Sequence, residues 1–462
     1  FLPTPESSLT FSGGFQRQDD IDYPGRLLNA EFFEAYNFSA EWRFKRWEGP
    51  LRSLHILAYV NNVDHGMTNA DKPTAQPNPN RMPPFPLDVK VDTRVNVKGG
   101  RLAAEFAPGT TWLLELGGDL YRANRDANRQ IFRADMNRLI FNDIVWPDAN
   151  LTDAGLFVRT SGLLGTSTLQ ASGTLRLDFV NANAGTVSPF FGQNTTVPLD
   201  QSETNISGAF TLSLPLNTFW SASLGVGSAV RTADASERYS DRFPASKSQM
   251  PGEFMGNPGL DPERNTQIDL WLEAVYPTVS FQLNGFFRRI NDYISFTPTG
   301  LPRRLPLSPP TVFRYLNGDA EFRGFESALA VSLAPPLTLK LGLESLWGKD
   351  KTQNEPVIGV SPIKARIGLR YEVPRYFLEG TLQGVGEQNR VAASRGEIPT
   401  DGYITADLKA GIRPLSGLEL LLGVTNLADK AYINHLNAKN PFTRQPIAEP
   451  GRVLFAHIDY GF

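Results

Sequence analysis

Strict alternation of apolar and polar residues over runs of about ten is the feature that most limits what this chain can become. In "TWLLELGGDLY", Trp112, Leu114, Leu116 and Leu120 fall on one face of an extended strand and Glu115, Asp119 and Tyr121 on the other. The same two-residue period runs through "FWSASLGVGS", "VSFQLNGFF" and "LTLKLGLESLW". Strands of about ten residues are long enough to cross a bilayer, whereas globular sheets average about 5–6. No apolar run approaches the roughly 20 residues of a membrane helix. That absence does not count against a membrane barrel, whose alternating strands average out in any hydropathy window.

Turns order these strands. Short breakers stand at Gly49-Pro50, Pro108-Gly109, Gly165, Pro215, Pro277, Pro335-Pro336, Pro374 and Pro414 to Gly417. Between consecutive breakers lie roughly 40 to 60 residues, room for one strand out, a longer polar loop and one strand back. With the "PTPESS" turn at the start and the chain end, nine such units predict about 18 antiparallel strands, an all-β transmembrane barrel. In "RVLFAHIDYGF", Leu454, Ala456, Ile458, Tyr460 and Phe462 share a face. That run is either an ordinary edge strand or the strand that seals the barrel.

Composition narrows function. With no Cys, the chain carries no disulfide, iron–sulfur cluster, thiolate zinc site or thiol nucleophile of its own. A net charge of -3 from 45 basic and 48 acidic residues gives no field for nucleic acid. No His-Glu-x-x-His, Gly-x-Ser-x-Gly or phosphate loop occurs, so no enzyme activity is expected. The chain opens on "FLPTPESS" without Met or a basic-then-apolar leader, and is expected to be part of a longer protein.

"GNPGLDPERNTQIDLWLEA" (256–274), "FRGFESAL" (322–329), "GVTNLADKAYINHL" (423–436) and "EPGR" (449–452) resemble the barrel signatures of TonB-dependent outer-membrane receptors. "YPGR" (23–26), "YVNNVDHGMTN" (59–69) and "DANLTDAGLFV" (148–158) resemble the copper receptor branch of that family. The resemblance implies a monomer in outer-membrane lipid, a 22-stranded barrel, and an N-terminal plug through which the TonB complex drives import. Nothing in the sequence corresponds to the plug. Residues 1–462 are therefore expected to be barrel alone, about 18 strands of 22, without plug or first strands.

Against that expectation the pair His65 and Met67 in "NNVDHGMTNADKP" stands out in a chain with 4 His and 5 Met. Positions i and i+2 of a strand share a face, which puts both at the outer end of the third strand. Imidazole nitrogen with thioether sulfur suits copper, Cu(I) above all, better than hard cations. By spacing alone the pair reads as incidental loop residues. The resemblance implies that it is the barrel half of a copper site whose other ligands, a Cys and a Met, come from the plug. Copper is then cargo, and no catalytic cofactor is expected.

Asp64 could orient the His65 ring if Gly66 bends the strand. Met82, Met136, Met250 and Met255 could form a capture patch, although packing on apolar side chains is the favoured reading. His435 is expected to pack a loop, and His55 and His457 to face the lumen. The alternatives to copper import are a siderophore or other metal-chelate receptor, using loop aromatics and Arg, and a passive porin-like channel.

Overall fold

The structure is a computed structural model that describes residues 6–461 apart from residues 47 and 166. Its wall begins with β1 (Ser7–Ile21), β2 (Asn29–Lys45), β3 (Leu51–Thr68), β4 (Leu87–Phe106), β5 (Trp112–Arg133) and β6 (Arg138–Leu163). It continues through β7 (Gln170–Asn183), β8 (Gln201–Pro215) and β9 (Trp220–Arg231), each pairing antiparallel with the one before. A short hairpin, β10 (Phe243–Lys247) with β11 (Met250–Met255), then leaves the wall, and β12 (Glu263–Val275) returns to pair with β9.

The second half runs through β13 (Val279–Thr299), β14 (Val312–Ala334) and β15 (Leu337–Asp350). After the two-residue β16 (Glu355–Pro356), the wall resumes with β17 (Lys364–Val373), β18 (Tyr376–Val385), β19 (Tyr403–Leu415), β20 (Leu418–Thr425) and β21 (Val453–Tyr460). Setting aside β10, β11 and β16, the wall has 18 strands among the described residues, the number predicted from turn spacing. At the two ends of this order β1 pairs with β2 and β21 with β20.

All eight breakers fall at short turns of one rim. Gly49 and Gly417 take φ of +87° and +81° there, a conformation that glycine adopts without a Cβ penalty. Residues 3–5 of the "PTPESS" turn and Phe462 lie outside the described residues. Leu454, Ile458 and Tyr460 share one exposed face of β21, and His457 alternates to the other, as expected.

The strands overrun the expected ten residues, β6 reaching 26. The reason is visible on the outer face of β2 to β6, where cross-strand rows change chemistry with height. Trp42–Ile56–Leu102–Gly118–Leu156 form one row, and Ala40–Ala58–Gly100–Leu120–Ala154 the next. Above them lie Phe38–Val60–Lys98–Arg122–Thr152, then Tyr36–Asn62–Asn96–Asn124–Asn150, then Glu34–Asp64–Arg94–Asp126. Lipid favours the first rows and water the last, so the ladder continues beyond the bilayer on the long-loop side. Leu156 and Leu270 are 60% and 57% exposed because this wall meets lipid.

Loops on that side fold over the lumen. The β10–β11 hairpin lays β11 parallel on β14, with Phe254 and Met250 packed among Phe313, Tyr315 and Ile294. His435, 2% exposed, ties three segments together. It lies 3.2 Å from Glu397 by Nε2, 3.0 Å from the Thr400 hydroxyl by Nδ1, and its carbonyl accepts from Gln249. Glu397 also accepts the N–H groups of Ala392 and Gly359 at 2.7 Å. The loop-packing role expected of His435 is what the structure has.

Candidate metal site at the outer mouth

The ladder fixes the orientation of β3. Phe33, His65 and Thr93 are opposite one another, as are Ala30, Met67 and Val91. His65 and Met67 share the face opposite the lipid rows, at the long-loop end. Leu305 and Leu307, from the loop between the distant β13 and β14, pack on the Met67 cluster. That contact identifies the face as lumenal.

A bulge opposite Gly66 helps to aim the pair. Between Ala30 and Phe32 the β2 register shifts, so that β2 carries one extra residue where β3 has Met67 and Gly66. The Phe32 ring lies where a Gly66 side chain would be, 2.3 Å from an ideal Cβ. Gly66 therefore makes room for an aromatic ring and supplies no bend toward Asp64. Asp64 faces the other side, accepting from Arg94 Nε at 3.0 Å, so the expected orienting contact with His65 is absent by strand parity.

The His65 ring meets Phe33 edge-on at 5.9 Å, and its backbone carbonyl accepts from the Thr93 hydroxyl at 3.1 Å. Nε2 is buried without a hydrogen-bond partner among the described residues. Burial, helped by the positive charge of Arg26, pushes the imidazole below its ordinary pKa and favours the neutral form that can bind a metal. Met67 is 9% exposed among Leu87, Val89, Val91 and Ile131. It lines an apolar cavity of about 280 Å³ that Phe141 and Leu305 also border.

A buried ion network walls that cavity. Arg129 grips Asp143 by Nε at 3.0 Å and Nη2 at 2.6 Å. Arg304 brings Nε within 2.6 Å of the same carboxylate, close enough to pair although that N–H is not aimed at it, and donates Nη1 to Asp241. The sequence reading missed this network. Only the parity of Arg129 and Asp143 on their strands hinted at it.

The remaining candidates separate. Met250 and Met255 are core residues at 1% and 0% exposure, as the packing reading expects, whereas Met82 and Met136 are exposed loop residues. No capture patch joins the four. His55 faces the lumen and lies 2.6 Å from Glu41, too low in the wall to join His65. Among the described residues no three His, Cys, Asp or Glu are grouped to hold an ion. His65 and Met67 thus share one lumenal face of β3, with no such group beside them among the described residues.

A wall of 18 antiparallel strands, lipid-facing on one side and polar on the other, with short turns at one rim and inward-folded loops at the other, is an outer-membrane transport barrel. Over residues 2–427 the sequence matches the family described as TonB dependent receptor-like, beta-barrel, and the chain belongs to that family. Its members are outer-membrane transporters rather than enzymes. No curated protein matches the chain.

Among solved structures it is similar to the copper transporter OprC, with TM-score 0.84, 22% identity, and coverage of 100% of this chain and 70% of that one. It is also similar to the FrpB iron transporter from Neisseria meningitidis, at TM-score 0.66, 15% identity, and 98% and 69% coverage. The ferric yersiniabactin uptake receptor FyuA from Yersinia pestis matches at TM-score 0.66, 12% identity, and 99% and 68% coverage.

Proposed function

We propose that this barrel belongs to a receptor that captures copper at its outer mouth for TonB-driven import, with His65 and Met67 as two of the ligands. The observation that carries the reading is the unpartnered, buried Nε2 of His65, two residues from a thioether on the same lumenal face. A buried donor atom left without a partner costs about 1–3 kcal/mol, and a bound soft metal would remove that cost. The likeness to a copper transporter supports the same cargo. The further ligands and the contact with the TonB complex come, in this proposal, from the plug expected of the family.

The test is copper bound per molecule of the full-length receptor, by elemental mass spectrometry after gel filtration. Wild type is expected to retain copper, and His65→Ala and Met67→Ala to lose most of it. Unchanged stoichiometry and affinity in both variants would overturn the proposal. A second reading, a metal-chelate receptor, draws on the apolar cavity beside Met67 and on the likeness to two iron-acquiring proteins. It predicts retention of a ferric chelate in the same assay and indifference to both substitutions.

A further inference from the structure

The lipid-facing wall carries a feature that cargo transport does not use. Lys98 on β4 and Arg122 on β5 stand directly opposite each other on the outer face. Like charges in that position repel. Both side chains are exposed, and neither forms an ion pair among the described residues. Arg122 donates Nε and Nη2 to Asn150 Oδ1 at 3.2 and 2.8 Å, leaving its other N–H donors free. The acids nearby are engaged elsewhere, Asp64 with Arg94 and Asp148 with Asn124.

Directly below the two cations the wall is hollow. Ala40, Ala58 and Gly100 are neighbours in one row, and with so little side chain they leave a trough between Phe38 and Leu120. The trough opens upward onto Lys98 and Arg122, and a row of asparagines stands above. An apolar surface trough under two unneutralised cations, at the height where lipid gives way to water, matches an amphiphile with a phosphate head.

We propose that this face of β2 to β6 binds a phosphate-bearing anionic lipid, its headgroup phosphate between Lys98 and Arg122 and one acyl chain in the trough over Ala58 and Gly100. The bound phosphate removes the repulsion of the opposed cations, and the chain fills the hollow. The inference is independent of the transported cargo.

Residues 1–462 hold no Cys, so once the Cys expected in the plug is replaced by Ser, Thr152→Cys at the edge of the trough takes a single fluorophore in the full-length receptor. The labelled receptor is reconstituted in phosphatidylcholine vesicles containing a small fraction of acyl-brominated phosphatidylglycerol or, separately, brominated phosphatidylcholine. Quenching by the anionic lipid is expected at a mole fraction on the order of tenfold lower than by the zwitterionic one. Lys98→Gln with Arg122→Gln is expected to abolish that preference, and Lys98→Arg with Arg122→Lys to keep it. Heat-modifiable mobility on gels checks that each variant is folded. Equal quenching by the two lipids in the parent protein, or a preference that survives the double glutamine change, would overturn the proposal.

Discussion

Gly66 separates the two soft side chains of β3, and the Phe32 ring fills the space where any larger residue would project. Gly66→Ala is therefore expected to displace that ring and the bulge behind it, at a cost of about 1–3 kcal/mol, and to weaken copper retention with both ligands still present. Urea unfolding and the copper assay read the two effects separately. Glu397 carries a second residue-scale prediction. Its burial alone would raise its pKa, but hydrogen bonds from His435 and from the N–H groups of Ala392 and Gly359 outweigh burial and hold it below the ordinary value. A depressed carboxylate contributes stability in full above the unfolded value of about 4.3, and loses it as pH falls through the lower folded value. Hydrogen exchange at the Ala392 and Gly359 amides should thus stay slow at neutral pH and quicken only in strong acid. In Glu397→Gln it should already be faster at pH 7. Slow exchange in the variant would show that the charge does not hold these loops. The shared face of His65 and Met67 is legible from a spacing of two, and the same parity keeps Asp64 away from His65, since Gly66 supplies no bend.

At the scale of elements, the turn-to-turn spacing was enough to number the strands, because each short turn needs a breaker and each breaker is local in sequence. The inward loops left no such mark. Arg304 reaches Asp143 and Asp241 across long separations that no period encodes, and the β10–β11 hairpin carries too few residues to show alternation. This network holds the loop between β13 and β14 against β5 and β6. Replacing Asp143 with Ala leaves Arg129 and Arg304 facing each other's charge in a buried setting, and breaking such a pair costs about 3–5 kcal/mol. The expected result is release of that loop, seen as faster tryptic cleavage after Arg303 or Arg304 while the strands of the wall remain protected. Unchanged cleavage would mean that the loop is anchored without Asp143, by Arg304 on Asp241, by Glu253 and by the packing of Leu305 and Leu307.

For the whole molecule, the decisive sequence signal was one that hydropathy averages conceal, since each strand shows lipid only every second residue. What the alternation did not reveal was how far the strands continue past the bilayer. Polar and apolar residues alternate there too, and only pairing across strands sorts them into rows. The rows predict depth-dependent costs. Leu156→Arg should destabilise the barrel in lipid vesicles by about 2–4 kcal/mol, and Asn62→Arg by no more than about 1. Urea titration of both variants would test this, and equal costs would mean that the rows do not mark the membrane.

The row Tyr36–Asn62–Asn96–Asn124–Asn150 has a further consequence. Amides do not titrate, and the Asn96 amide donates to Asn62 as Asn124 donates to Asn150 at 3.1 Å. A waterline drawn in carboxylates would ride up or down as the outside medium turned acidic or saline. Drawn in amides, this row keeps its polarity as the medium changes, and titration is left to Glu34, Asp64 and Asp126 in the row above.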